Sequence, residues 1–179
     1  METLTFVKIK PLRVFPPPFE SSVIILSEQK AIRLKGTKAM LTGINKLLTG
    51  DLLKILCDMG HGDAIVIADA NFPGETCAKR LIRMPGIDAV TVAKAVSSVI
   101  PLDTYSEQPL IAMAVTDSDK AKGMGRPEII GEYEKALNHP VSEIERFAFY
   151  EKAKNCYAVI QTGEERIYGN LIIVKGVVL

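Results

Sequence analysis

Residues 64–68 read AIVIA, five apolar positions in a row with no polar alternation. A strand with one solvated face alternates, so this run suits a strand covered on both faces, as in a sheet between layers of helices. Further apolar runs at 110–115 (LIAMAV) and 171–174 (LIIV) repeat the signal, and 157–161 reads as another strand. Helix-like segments separate them. Thr49 can cap a helix over 50–59 that sets Leu52, Leu56 and Met59 on one face before Gly60 ends it. Residues 88–99 place Val92, Ala95, Val96 and Val99 on one face, with Pro101 closing the segment. Pro127 suits the first turn of a helix running to about 137, and Arg146 precedes a helix through 154. A weaker strand is expected at 81–83, after a turn at 71–74. Strands alternating with helices predict an α/β fold: three α/β/α layers around a central, largely parallel or mixed sheet.

A chain of 179 residues suits one domain with a sizeable core. Residues 1–39 differ from the rest. Pro11, Pro16, Pro17 and Pro18 break any helix there, and residues 3–10 alternate in a strand-like way. Seven Lys/Arg stand against three Glu in this segment, leaving residues 40–179 near −3. We therefore divide the chain into an N-terminal extension (1–39) of unassigned role and one domain (40–179), for which Met40 is a natural start. Glu20, Glu28 and the triple proline argue against a transit peptide. A net charge of +1 and the mildly acidic body give no basis for nucleic-acid or anionic-membrane partners. No apolar run approaches the roughly 20 residues that span a bilayer. Three scattered cysteines (Cys57, Cys77, Cys156) without CxxC spacing read as reduced thiols, hence a cytoplasmic setting. Cys57 and Cys156 fall in apolar segments and are expected to pack rather than react.

Three clusters could carry chemistry. In Gly60-His61-Gly62-Asp63 two glycines leave the imidazole uncrowded, and Asp69 falls just past the carboxyl end of the AIVIA strand, where α/β sheets place ligand-binding groups. A helix end, a surface histidine and a turn aspartate account for the same pattern, and the residues alone leave both readings open. In the second cluster, Glu145 to Glu151, Arg146 stands beside two phenylalanines and a tyrosine. Phe147 and Tyr150 fit an ordinary core-facing stripe, and Arg146 stays open. The third cluster, 162–170, offers the Tyr168 phenol and the Asn170 amide around Gly169, which would let a ligand approach closely; in isolation it reads as a polar connection. Neither His61 nor His139 has metal-ligand spacing, so no metal site is expected. No phosphate-binding, nucleophile-elbow or dinucleotide motif is present, and Gly123-Met124-Gly125 reads as a loop.

Together, MGHGDAIVIADANFP (59–73), ERFAFYEKA (145–153) and TGEERIYGNLIIVKGV (162–177) resemble the signature of the family uniting D-ribose pyranases and L-fucose mutarotases. The resemblance runs from about Met40 to the C-terminus, and LDTY (102–105) and SDKAKG (118–123) are similar to its fucose branch. It implies an isomerase that interconverts the anomers of a monosaccharide, L-fucose favoured, without a cofactor and as a homo-oligomer, from dimer to decamer. It also implies that His61 is the proton donor, that Asp69 binds the sugar, and that Arg146 stands where the ribose branch tends to have histidine. Tyr168, Gly169 and Asn170 match the substrate loop.

Interconverting anomers opens the ring at C1. One group protonates the ring oxygen while another takes the proton of the anomeric hydroxyl, and positioned groups contribute about 10²–10⁴-fold to such transfers. Histidine, with an unperturbed pKa of about 6.5, suits the work. We expect His61 as main acid/base, Tyr168 relaying or stabilising the second proton, and Asp69, Arg146 and Asn170 fixing hydroxyls. A straight strand at about 3.3 Å per residue would put His61 and Asp69 roughly 20 Å apart, so either the 60–63 loop folds back along the strand or each pocket combines residues from two subunits; we favour the shared pocket. D-ribose pyranase activity, or a non-catalytic transport-associated sugar-binding module, are the alternatives.

Overall fold

The computed structural model describes residues 41–179; the strand-like reading of residues 3–10 and the extension itself lie outside them. Twelve elements follow one another in the described residues. The helices are α1 (Gly50–Asp58), α2 (Gly74–Cys77), α3 (Ala89–Ser97), α4 (Asp117–Ala121), α5 (Glu128–Leu137) and α6 (Arg146–Asn155). The strands are β1 (Ala64–Ala68), β2 (Leu81–Met84), β3 (Leu110–Met113), β4 (Ser142–Ile144), β5 (Ala158–Thr162) and β6 (Leu171–Val174).

The strands form one mixed sheet in the order β2-β5-β1-β6-β3-β4. β2, β5 and β1 pair in parallel, as do β3 and β4. β6 is antiparallel to both β1 and β3, so five strands point one way and β6 alone points back. The AIVIA strand sits inside the sheet, between β5 and β6. Its Ile65 and Ile67 face one core with Leu52, Val92, Ile130 and Tyr133, from α1, α3 and α5. Val66 and Ala68 face the other with Cys77, Phe149 and Ala153, from α2 and α6. This is the expected three-layer α/β/α architecture. Ile65, Val66 and Ile67 are completely buried, and each such side chain contributes about 1.5–3 kcal/mol.

Caps set the helix starts. Thr49 accepts from the Leu52 amide, Asp88 from that of Thr91, and Glu145 from those of Phe147 and Ala148. The end of α1 is closed by a buried cation: Lys175 Nζ donates to the Leu56 and Met59 carbonyls, where the helix dipole favours positive charge. The pattern did not reveal β4, α2 or α4. β4 has three residues, none of them buried, on the sheet edge, too short for a period to register.

Candidate active site

The topology brings the carboxyl ends of β1, β3, β4 and β5 and the start of β6 to one edge of the sheet. A cavity of about 220 Å³ opens there. This is smaller than the roughly 300–1,000 Å³ pockets of drug-sized ligands and suits a single small ring.

Asp69, immediately after β1, is 3% exposed and makes a reciprocal pair with Asn170, immediately before β6. Its amide donates to Asn170 Oδ1 at 3.0 Å, and Asn170 Nδ2 donates to Asp69 Oδ2 at 2.7 Å. Asp69 Oδ1 accepts from the Asn71 amide. Burial pushes the Asp69 carboxyl above the ordinary carboxylate value, against the lowering pull of the Asn71 and Asn170 bonds.

Arg146, the first residue of α6, lines the same cavity. Its Nε is buried and has no hydrogen-bond partner, an orphan donor of the kind that native proteins rarely leave without a use. The guanidinium lies 4.8 Å from the Phe147 ring centroid. The expected core stripe of Phe147 and Tyr150 is corrected: Phe147 is 63% exposed and Phe149 fills the core. Phe149 and Ala153, four apart on α6, carry the buried stripe instead. Tyr150, half-buried, lies 5.7 Å from the Phe72 ring and forms part of the cavity wall.

Tyr168 has φ 63°, a left-handed conformation uncommon for a bulky residue and a sign of local strain. Its hydroxyl donates to Asp119 Oδ2 at 2.6 Å and accepts from the Thr116 amide at 3.3 Å. A methyl on Gly169 would meet Glu164 Cγ at 2.9 Å and the Arg166 carbonyl at 3.0 Å. The close approach at Gly169 is therefore made by the protein itself, and its carbonyl accepts from Tyr133 Oη at 2.9 Å.

His61 is not in this cavity. It lies ahead of β1, at the opposite sheet edge, with its side chain about half exposed (48%). Its Nε2 is 3.1 Å from Asp103 Oδ1, and its ring meets Tyr105 edge-on at 5.5 Å. Asp103 Oδ1 also accepts from the Tyr105 amide; that bond first, and His61 with it, hold the Asp103 carboxyl below the ordinary range. Gly62 supplies the positive φ (82°) of the loop, and its amide donates to the Lys175 carbonyl. Gly62, Asp63 and Asp103 open onto a second, larger cavity of about 710 Å³.

No group of three or more His, Cys, Asp or Glu suited to a metal occurs among the described residues. Cys57, expected to pack, is exposed; Cys77 and Cys156 are buried, and burial pushes the Cys156 thiol up to about 12. No helix among the described residues is long and apolar enough to cross a membrane.

A sequence profile of the RbsD / FucU transport protein family matches residues 42–178. The chain belongs to the RbsD / FucU family. It is 44% identical to the fucose mutarotase of Homo sapiens over 145 residues, which is 76% of this chain and 94% of that protein. The crystal structure of the fucose mutarotase of Streptococcus pneumoniae in complex with L-fucose matches it with a TM-score of 0.72 and 37% identity, over 78% of this chain and all of that one. Bacillus subtilis RbsD complexed with D-ribose matches with a TM-score of 0.59 and 27% identity, over 78% and 100%.

In this RbsD / FucU chain the fold gathers Asp69, Arg146, Tyr168 and Asn170 around one cavity and leaves His61 at the other end of β1. Sequence reasoning missed Asp119, Tyr150 and Met113 on the cavity wall, and Asp103 beside His61. Asp103 and Asp119 lay within segments singled out for resemblance (102–105 and 118–123), but no local pattern assigned either a partner.

Proposed function

We propose that this chain is a monosaccharide mutarotase, with L-fucose as its substrate. The observation that carries the reading is the cavity itself. A buried carboxylate paired with an amide (Asp69, Asn170), an orphan guanidinium donor (Arg146) and a phenol (Tyr168) converge on a space sized for one sugar ring. Buried polar groups of this kind reject ligands that leave them unpaired. Phe72 and Met113 on the same wall add apolar surface suited to a sugar's C–H face. The human fucose mutarotase and the L-fucose complex from Streptococcus pneumoniae support the choice of sugar.

Catalysis needs a proton donor at the ring oxygen, and His61 takes that role. Its link to Asp103 orients the imidazole, as a carboxylate does for a catalytic histidine elsewhere. As the imidazole protonates O5, the C1–O5 bond breaks, the anomeric hydroxyl gives its proton to a solvent water, and C1 becomes a carbonyl. Rotation about the C1–C2 bond exposes the other carbonyl face, and reclosure reverses the transfers. Because His61 stands at the far edge of its own sheet, it would serve the cavity of a neighbouring copy. The chain then works as a homo-oligomer whose pockets are shared, and the reduced-thiol reading supports a cytoplasmic setting.

Saturation-transfer NMR on the anomeric protons of L-fucose and D-ribose tests the reading. Faster exchange for L-fucose is the expected result. Faster exchange for ribose alone would make the chain a ribose pyranase. Binding without any acceleration would make it a sugar-binding module.

A further inference from the structure

A phenolic hydroxyl has one proton to give and two lone pairs to receive. In Tyr168 the proton is committed. The hydroxyl donates to Asp119 Oδ2 at 2.6 Å, the short distance expected of a bond to a charged acceptor. Asp119 belongs to the first turn of α4, which follows β3, and Tyr168 belongs to the connection before β6; the two meet only because β3 and β6 are neighbours in the sheet. The other Asp119 oxygen receives Lys122 Nζ at 2.9 Å, and Thr116 Oγ1 lies 3.2 Å from Oδ2. The Thr116 amide takes one lone pair of the phenol at 3.3 Å. Thr116 Oγ1 also lies 3.2 Å from the phenol oxygen; with the threonine's own proton donated to Asp119 Oδ2, one lone pair of the phenol is left for the cavity that Tyr168 and Asp119 both line.

We infer that Asp119 is a positioning residue that turns Tyr168 into a hydrogen-bond acceptor toward the sugar, so that a sugar hydroxyl must donate to the phenol. The inference rests on reading the cavity as the sugar site, and it gives Tyr168 a fixed acceptor role in place of the expected relay. The Asp119 carboxyl, held at about 2 first by the Tyr168 hydroxyl and next by Lys122, stays anionic at neutral pH. It therefore keeps hold of the phenol's orientation and is a poor destination for a proton. With Arg146 as donor, and Asp69 and Tyr168 as acceptors, the cavity presents a fixed donor–acceptor pattern that selects which sugar hydroxyls fit.

A double-mutant cycle of Asp119→Ala and Tyr168→Phe, measured on both L-fucose affinity and anomeric exchange, tests this. Asp119→Ala is expected to lower affinity and exchange about tenfold in the native background, the scale of one charge-assisted hydrogen bond, and by less than about twofold once Tyr168 is Phe. Monofluoro L-fucoses, whose fluorine accepts but cannot donate, give a second reading. At the position facing Tyr168 the fluoro sugar should bind native protein no better than the deoxy sugar, and should gain in Asp119→Ala, where the phenol's proton is free to turn. Equal losses in both Tyr168 backgrounds would overturn the inference, because Asp119 would then act only through the stability of α4. Native protein that binds L-fucose without accelerating exchange would instead remove the mutarotase reading, while the affinity cycle would still decide the role of Asp119.

Discussion

His61 and Asp69 bracket the same strand: one precedes β1, the other follows it, and the five residues of β1 separate the two ends of the sheet. At about 3.3 Å per residue, a five-residue strand alone spans some 16 Å, far more than one sugar ring. The shared pocket proposed above draws the two side chains from different copies.

Chains carrying His61→Ala or Asp69→Asn are therefore each expected to be inactive alone and to complement each other when mixed. With random assembly at equal amounts, about a quarter of head-to-tail contacts pair a native His61 with a native cavity. Anomeric exchange recovering to about that fraction is the expected NMR result. No recovery in co-refolded mixtures would argue for a pocket within one chain. His61→Ala alone should reduce exchange by about 10²–10⁴-fold.

Arg146→Leu separates stability from binding. Its buried Nε has no hydrogen-bond partner, and an unsatisfied buried donor costs about 1–3 kcal/mol. Removing it should leave the melting temperature unchanged or raise it, while weakening L-fucose binding by about tenfold or more, at least 1.4 kcal/mol. Calorimetry of both quantities checks this. A fall in both together would mean that Arg146 is structural.

Gly176 connects the ends of the sheet to the His61 apparatus. A methyl there would meet the Leu102 carbonyl oxygen at 2.4 Å and Asp103 Cα at 2.9 Å. Backbone must shift to admit it, at about 1–3 kcal/mol, and the shift displaces Asp103 from His61. Gly176→Ala should lower exchange more than it lowers L-fucose affinity, because the Asp69 cavity lies at the opposite edge.

Asp119 also predicts an acid-sensitive step. Its carboxyl sits at about 2 against an ordinary 3.8, so the folded state holds the charged form more favourably than the unfolded chain does. The stabilisation is complete above 3.8 and is lost as pH falls toward 2. The melting temperature of the native protein should therefore exceed that of Asp119→Ala by a constant margin above pH 4, and the margin should close by pH 2. A pH-independent difference would show that the Tyr168 and Lys122 contacts do not set the titration of Asp119.

Much of this protein was written locally. AIVIA and LIIV are buried strands because an unbroken apolar run can satisfy its side chains only between two covered faces. Thr49 and Asp88 start helices where their side chains can reach amides three residues on. The candidates His61, Asp69, Arg146, Tyr168 and Asn170 stood out through resemblance of short motifs. Their relations did not. Asp69 with Asn170, Tyr168 with Asp119, and His61 with Asp103 join residues 101, 49 and 42 positions apart. Each pairing follows from strand order, which inserts β6 antiparallel between β1 and β3, and no periodicity within a segment carries that information. The sequence by itself determined which segments bury which faces, because apolar period and capping act over a single turn or strand. Only the tertiary structure decided which polar side chains meet and that the histidine stands apart from the cavity, because hydrogen bonds between distant segments exist only once the sheet has set their spacing.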